Sequence, residues 1–429
     1  MDQDTIFAVA SGGGRAAIAV MRICGPDSRR LLAGLCRSVP PPRHAALRRL
    51  RDAAGEELDR AVVLWLPGPG SYSGEDSAEL HLHGGRAVVD GLAEALVALG
   101  ARPAQPGEFT RRAFLNGRMD LLEAEAVGDL VAAETAGQRR QALRQLEGAL
   151  GAIYRGWADR LLKLMAQQEA LIDFPDEDLP PEVEVAVVAE IATLGTEMAA
   201  HLADRRRGER LREGLVFAVT GPPNVGKSAL VNALAERDVA IVSATPGTTR
   251  DALETRVVLG GVPVTVVDTA GLRETRDEIE AEGVRRALAR AAEADLVIAV
   301  AEAGGGGQPL PDDNIVHVAN KIDLGGAVPA GAIGVSALTG AGLEVLRDRL
   351  AEQARALTES AGPPPLTRAR HRAALQEAST RLADAQRAEL PELRAEDLRL
   401  ALRALGRITG EVGVEDILDA LFAQFCIGK

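Results

Sequence analysis

Eight consecutive residues, Gly221, Pro222, Pro223, Asn224, Val225, Gly226, Lys227 and Ser228, have the types and spacing of a loop that wraps phosphate. They fit G-x-x-x-x-G-K-[ST], and the apolar run 215–219 reads as the buried strand that such a loop must follow. The glycines let backbone N–H groups turn inward around phosphate oxygens. Lys227 adds a positive charge at the β and γ phosphates, and the Ser228 hydroxyl is a ligand for Mg²⁺, with Ala229 continuing into the helix. Further along, Asn320, Lys321, Ile322 and Asp323 choose the base. A carboxylate at Asp323 accepts from the guanine N1–H and 2-amino groups, whereas adenine offers an acceptor at N1 and no 2-amino donor. Asn320 and Lys321 secure the base and the loop, and Ser336, Ala337 and Leu338 are placed to back the base edge. The ligand these residues specify is GTP.

Asp268, Thr269, Ala270 and Gly271 follow an apolar strand, 264–267, where a segment sensing the γ-phosphate belongs, with Asp268 reaching Mg²⁺ through its outer shell. Thr248 and Thr249 in the preceding loop can close over the same ion. Many GTPases place a water-orienting glutamine just after that glycine; here the residue is Leu272, which cannot do this. Either hydrolysis is slow or an acid such as Glu274, Glu278 or Glu280 swings in, and the alternative is that these acids form a solvated switch. Asn224 offers a neutral oxygen near the phosphates, suited to a monovalent cation that neutralises developing charge, or else it only shapes the loop.

The elements that must position these groups fall into several domains, because 429 residues exceed one ordinary core. Residues 1–116 mix short strands (6–10, 17–23, 61–66) with Gly/Pro turns and a helix over 87–99, an α+β pattern. From 117 to 212 the texture is helical. Asp120 and Glu123 have capping-box spacing, the helical pattern runs to a break at Phe174 and Pro175, and one further helix is expected over 183–211. Residues 213–357 alternate strands, Gly-rich loops and helices as a nucleotide-binding parallel sheet does. Helices resume over 358–429 after the proline run at 363–365. The fold class is thus multidomain α/β, with a P-loop GTPase domain inserted into a discontinuous helical domain.

Composition narrows the partners. The net charge of −13 restricts nucleic-acid contact to local basic runs, namely Arg205, Arg206 and Arg207 with Arg210 and Arg212, and Arg368, Arg370 and Arg372. Such a run is more often a solvated helix face. Aromatic residues make up only 3%, which leaves few rings for stacking on bases. No apolar run is long enough to span a membrane and no signal-peptide pattern opens the chain, so a cytoplasmic protein is expected. Three cysteines, Cys24, Cys36 and Cys426, lack C-x-x-C spacing, which argues against a zinc site or a disulfide framework and for reduced thiols. His81 and His83 share a strand face, but no third metal ligand accompanies them.

The chain resembles the MnmE/TrmE family of GTPases that modify the tRNA wobble uridine. The resemblance rests on the phosphate loop, the run 247–251, Asp268 to Arg273, Asn320 to Asp323, the run 106–109, Phe174 to Asp176 and the ending Cys426, Ile427, Gly428, Lys429. It implies a tetrahydrofolate-binding N-terminal domain that also forms the homodimer, and GTPase domains that pair across the dimer when K⁺ and GTP are bound. It implies Mg²⁺ on Ser228 and Thr249, and K⁺ held by Asn224 with Ser243, Thr245 and Thr248. Glu280 would orient the hydrolytic water. Ala244, Thr245 and Pro246 depart from the family's usual loop. Arg22, Glu79, Arg118 and Lys429 would bind folate, as 5,10-methylene- or 5-formyl-tetrahydrofolate, although the third position is usually Lys. A surface ion pair explains Arg22 and Glu79 equally well. Cys426 becomes a catalytic candidate for covalent activation at C6 of the uridine. The resemblance also implies a heterotetramer with a flavin-dependent MnmG/GidA-type partner that carries FAD and NADH, since no dinucleotide fingerprint is present here. The rivals are a ribosome-assembly or RNA-binding regulatory GTPase and a folate-dependent one-carbon transferase with a GTP sensor.

Overall fold

The structure is a computed structural model that describes residues 4–12, 14–173, 181–237, 254–268, 293–305, 312, 314–359, 362–412, 415–423, 425 and 427–428. Two compact units divide the chain: Met1–Gly128 with Gly151–Asp159 and Leu402–Lys429, and Asp129–Leu150 with Arg160–Ala401.

The first unit is built on a six-stranded sheet, β1 (Ile6–Val9), β2 (Ile18–Cys24), β3 (Ala46–Arg51), β4 (Glu57–Leu66), β5 (Ser77–His83) and β6 (Arg102–Pro103), in the order β3-β4-β5-β2-β1-β6. Strand alternation gives the sheet two different faces. Phe7, Met21, Ile23, Val63, Leu80 and Leu82 form one buried face, packed with Leu31, Leu32 and Leu35 of helix Ser28–Cys36 and Leu92 and Leu96 of helix Arg86–Ala98. The opposite parity carries a smaller core of Ile6, Ala8 and Cys24 under Phe109 of helix Glu108–Leu115, with Tyr72 packed against it. Arg22 and Glu79 have this second parity and sit directly opposite one another in the β2–β5 register.

The second unit holds another six-stranded sheet, β7 (Leu215–Thr220), β8 (Glu254–Leu259), β9 (Val262–Asp268), β10 (Leu296–Glu302), β11 (Ile315–Asn320) and β12 (Ile333–Gly334), in the order β12-β11-β10-β7-β9-β8. All neighbours are parallel except the β8–β9 hairpin. The inner strands β7 and β10 read as near-continuous apolar runs because helices cover the sheet, whereas the edge strand β8 opens with Glu254, Thr255 and Arg256. Leu230, Val231 and Leu234 of helix Lys227–Arg237 and Leu343, Leu346 and Leu350 of helix Leu343–Thr358 complete the core.

The capping box at Asp120 is present, with the Glu123 N–H donating to Asp120 Oδ1 and the Asp120 N–H to Glu123 Oε2, both at 2.8 Å. The helical run behind it is three helices, Leu121–Ala132, Ala136–Leu146 and Ala149–Asp173. Thr135 and Gln138 form a second capping box that restarts the chain. The single helix expected over 183–211 is also divided, into Pro181–Leu202 and Arg207–Glu213. The reason is local: Arg205 and Arg206 take left-handed backbone (φ 55° and 60°), and Asp204 accepts the Arg206 N–H at 2.9 Å, an alternative to helical bonding. Helix Ala369–Arg387 packs along Pro181–Leu202. No described helix is long and apolar enough to cross a membrane.

Candidate functional site

The nucleotide motifs converge at the C-terminal ends of the parallel strands, where this topology opens a crevice. The phosphate loop leaves β7 and enters helix Lys227–Arg237. Two positions require glycine. A Cβ on Gly221 (φ 145°) would lie 2.0 Å from the Val300 carbonyl oxygen, and one on Gly226 (φ 91°) 2.5 Å from Asn320 Nδ2. Asn224 is exposed and left-handed at φ 62°, while Val225 is buried and anchors the loop to the core. Lys227, only 6% exposed, donates from Nζ to the carbonyls of Gly221 and Pro222 at 2.8 Å each. Its ammonium is thereby held inside the curl of the loop, where phosphate oxygens would replace those carbonyls as acceptors. The Ser228 hydroxyl donates to Asp268 Oδ2 at the end of β9. A hydroxyl and a carboxylate side by side are the hard oxygen donors Mg²⁺ prefers.

The base side is equally connected. Asn320 Nδ2 donates to the Val225 carbonyl at 2.8 Å, and its Oδ1 accepts the Ala337 N–H at 3.1 Å, so one buried amide ties the phosphate loop to the 336–338 segment. The buried Ser336 hydroxyl accepts the Thr339 N–H at 3.1 Å, while Leu338 is 87% exposed. Lys321 is left-handed (φ 64°) and reaches Glu302 Oε2 at 3.1 Å. Asp323 lies exposed in the single turn Ile322–Leu324 with its carboxylate open to a ligand. Sequence reasoning missed Glu302. Its signal was an acid at the end of the apolar run 296–301, which the β10–β11 register sets beside Asn320.

A second polar site occupies the outer face of the first sheet. Arg22 donates through Nη2 and Nε to Glu79 Oε1 at 2.9 and 3.2 Å, and its guanidinium stacks over Tyr72 and Phe109, 5.4 and 5.7 Å from the ring centroids. Both bonds fall on one carboxylate oxygen. Glu79 Oε2 keeps its acceptor capacity, with His81 Nε2 at 3.7 Å and otherwise without a hydrogen bond among the described residues. Ser73 and Ser77 line the same small cavity, of about 20 Å³. Arg118 is exposed and not among the residues that line this cavity; its stem packs over Gly74, next to Ser73, and Asn116 fixes that loop by donating to the Ser73 carbonyl at 2.9 Å. The sequence reading missed Tyr72 and Ser73, which come from a segment that carries no motif, and it gave Phe109, the last residue of the run 106–109, no role at this site. A carboxylate acceptor, a guanidinium, two hydroxyls and a ring face suit a flat heterocycle bearing N–H donors. Admitting one requires the 73–77 loop to yield, because 20 Å³ holds about one water.

The tail reaches this unit as well. Gly428 (φ 99°) is buried, and a Cβ there would lie 2.3 Å from the Val9 carbonyl of β1. Ile427, 60% exposed, lines an apolar cleft with Phe7, Val9 and Met21. Ser243, Thr245, Thr248, Thr249, Thr269, Ala270, Gly271, Glu280, Cys426 and Lys429 lie outside the described residues. His83 Nδ1 is 2.7 Å from Asp59, and no group of three or more His, Cys, Asp or Glu able to hold a metal occurs among the described residues.

The two arginine runs are largely neutralised. Arg206 pairs with Glu209, Arg210 with Asp295, Arg212 and Arg368 with Asp129, and Arg372 with Asp204 and Glu209. Among the described residues Arg205 and Arg207 make no such pair, and the pairs of the others tie elements of the second unit together. Adjacent helices bring carboxylates to them that the linear sequence separates.

Comparison with known proteins agrees with this geometry. The family description "GTP-binding protein TrmE N-terminus" matches residues 5–118, and "MnmE helical domain" matches 121–426. Three relatives bear the name tRNA modification GTPase MnmE. That of Gluconacetobacter diazotrophicus is 63% identical over 100% of this chain and 99% of its own, that of Granulibacter bethesdensis 56% over 100% of both, and that of Rhodospirillum rubrum 53% over 100% of both. With such identity along its whole length, the chain belongs to the MnmE family of tRNA modification GTPases.

Proposed function

We propose that this protein is a potassium-stimulated GTPase. With a flavin-dependent MnmG-type partner, it adds an aminomethyl or carboxymethylaminomethyl group to C5 of the tRNA wobble uridine. A folate one-carbon unit supplies the methylene, and ammonium or glycine the amine. The observation that carries this reading is the presence, in one chain of this family, of two separate sites: a guanine-nucleotide crevice closed by Asn320, and an Arg22–Glu79 pocket on the first sheet, whose strand β1 also seats the tail at Gly428. A regulatory GTPase has no use for the second site.

In this reading Lys227 moves its hydrogen bonds from the Gly221 and Pro222 carbonyls to phosphate, and Asp323 accepts from guanine. Ser228 and Thr249 would hold Mg²⁺, which would neutralise charge developing on the phosphates, with Asp268 reaching the ion through its outer shell. Asn224 would hold K⁺ together with Ser243, Thr245 and Thr248, and Glu280 would orient water. Glu79 would accept from the pterin, Arg22 and Arg118 would engage carboxylates, and Lys429 would assist. Cys426 would attack C6 of the uridine. GTP hydrolysis drives a rearrangement and not the carbon chemistry. The working division is a dimerising folate domain (1–116), helical segments (117–212 and 358–429) and a GTPase domain (213–357).

Mass spectrometry of wobble nucleosides from a deletion strain tests the reaction: the loss of the C5 aminomethyl derivatives is expected, and an unchanged profile sinks the reading. GTP turnover in KCl against NaCl tests the cation, where equal rates would remove the role given to Asn224. Cys426→Ser should abolish modification and spare GTP hydrolysis.

A further inference from the structure

Once the paired arginines are set aside, four others stand together in the second unit. Arg140 and Arg144 lie at i,i+4 on helix Ala136–Leu146 and face one way. Arg207 opens helix Arg207–Glu213, and Arg355 lies in the last turn of helix Leu343–Thr358. All four line one cleft of about 650 Å³, whose wall includes the Gly260–Gly261 turn between β8 and β9 and the prolines at 364 and 365. None of the four has an ion-pair partner among the described residues, in contrast to Arg206, Arg210 and Arg212 a few positions away. Against four guanidiniums the lining offers one carboxylate, Glu359.

A chain with a net charge of −13 has acids to spare, so a group of unpaired arginines from three separated segments is a concentrated positive surface on a negative molecule. Arg140, Arg144 and Arg355 are exposed and Arg207 is half-buried. The charges therefore ring the mouth of the cleft and are not enclosed around a small molecule. None of the lining residues is aromatic, so nothing there stacks a base. Planar guanidinium forks without rings bind phosphodiester oxygens and ignore base identity.

We infer that this cleft is the place where the protein grips the sugar-phosphate backbone of tRNA, through Arg140, Arg144, Arg207 and Arg355 and without reading sequence. The inference rests on the proposed action on tRNA and assigns that contact to a surface.

The test is binding of an in-vitro-transcribed tRNA to the full-length protein across a KCl series. The quadruple Arg→Gln variant at 140, 144, 207 and 355 should bind on the order of a hundredfold more weakly at low salt, with the slope of log K against log[salt] reduced by about three, since each phosphate contact contributes roughly 0.7–0.9. The quadruple Arg→Lys variant should keep most of the slope, and GTP turnover by the protein alone should be unchanged in both. Arg140→Gln/Arg144→Gln, confined to an exposed helix face, should show about half the slope change and guards against misfolding of the fuller variant. An unchanged affinity and slope in the Gln variants overturns the inference while leaving action on tRNA standing. Absence of tRNA binding by the unaltered protein overturns both. If the Gln variants lose binding of inorganic tripolyphosphate yet retain that of tRNA, the cleft is a small-anion site and the inference fails.

Discussion

Asp323 is exposed on one short turn, and its two oxygens match the two donors on the guanine edge. Asp323→Asn replaces one acceptor with a donor and leaves the 2-amino group unmatched. GTP affinity should drop by about two orders of magnitude, as charged hydrogen bonds of 1.5–3 kcal/mol imply. Xanthosine triphosphate, whose 2-oxo group accepts from the new amide, should gain. Competition against a fluorescent GDP analogue measures both. Two of the three thiols make a contrasting case at the same scale. Burial raises the Cys24 thiol to about 11, with Glu75 adding to the rise against the lowering bond from Ser73, and burial raises Cys36 as well. Both stay protonated at pH 8. Native protein treated with a disulfide reagent at that pH should therefore leave Cys24 and Cys36 unlabelled, by peptide mapping, until it is unfolded.

At the scale of elements, helix Glu108–Leu115 is fastened to the first sheet by charge. Glu108, in its first turn, accepts from the Gln105 N–H at 2.8 Å and from Arg102 and Arg112, while Arg112 also bonds Asp4 and Glu75. Burial pushes Glu108 and Asp4 upward, but the bonds from the two arginines outweigh it, and both carboxyls end below their usual range. Depressed carboxyls contribute stability that is complete above the unfolded value of about 4 and is lost as pH falls through the folded values. Urea midpoints should thus be flat at neutral pH and decline below about pH 4. Arg112→Ala leaves the buried Glu108 short of a counter-charge, and the cost should be roughly 3–5 kcal/mol in urea unfolding. This helix carries Phe109, which underlies Arg22, so the same variant should also loosen the second polar site.

At the scale of the molecule, the tail is joined to the N-terminal sheet by a backbone contact that tolerates no side chain. Gly428→Ala places a Cβ 2.3 Å from the Val9 carbonyl in a left-handed conformation, a strain of about 1–3 kcal/mol. Tail displacement should lower tRNA modification in vitro by roughly tenfold or more, the equivalent of about 1.4 kcal/mol. GTP turnover should remain unaffected, because the nucleotide crevice lies in the other unit. Equal loss of both activities would show that the tail does more than serve the first sheet.

The nucleotide crevice was legible in the linear chain, because a phosphate loop works through local backbone curvature and a fixed order of strand, loop and helix. Gly221, Gly226, Lys227 and Asn320 can be placed from spacing alone. The strands around Ile6, Ile18 and Ala61 were legible too, because short apolar runs bounded by turn residues are a local signal. The pairing of charges, in contrast, was settled by packing. Arg212 and Arg368 both meet Asp129, and Arg372 meets Asp204 and Glu209, across separations in sequence that no run or period encodes. For the same reason the unpaired set Arg140, Arg144, Arg207 and Arg355 is invisible in the linear chain. Helix ends are set by nearest neighbours, but whether an arginine is a strut or a binding group depends on which carboxylates packing brings within 4 Å, and packing is a property of the whole fold.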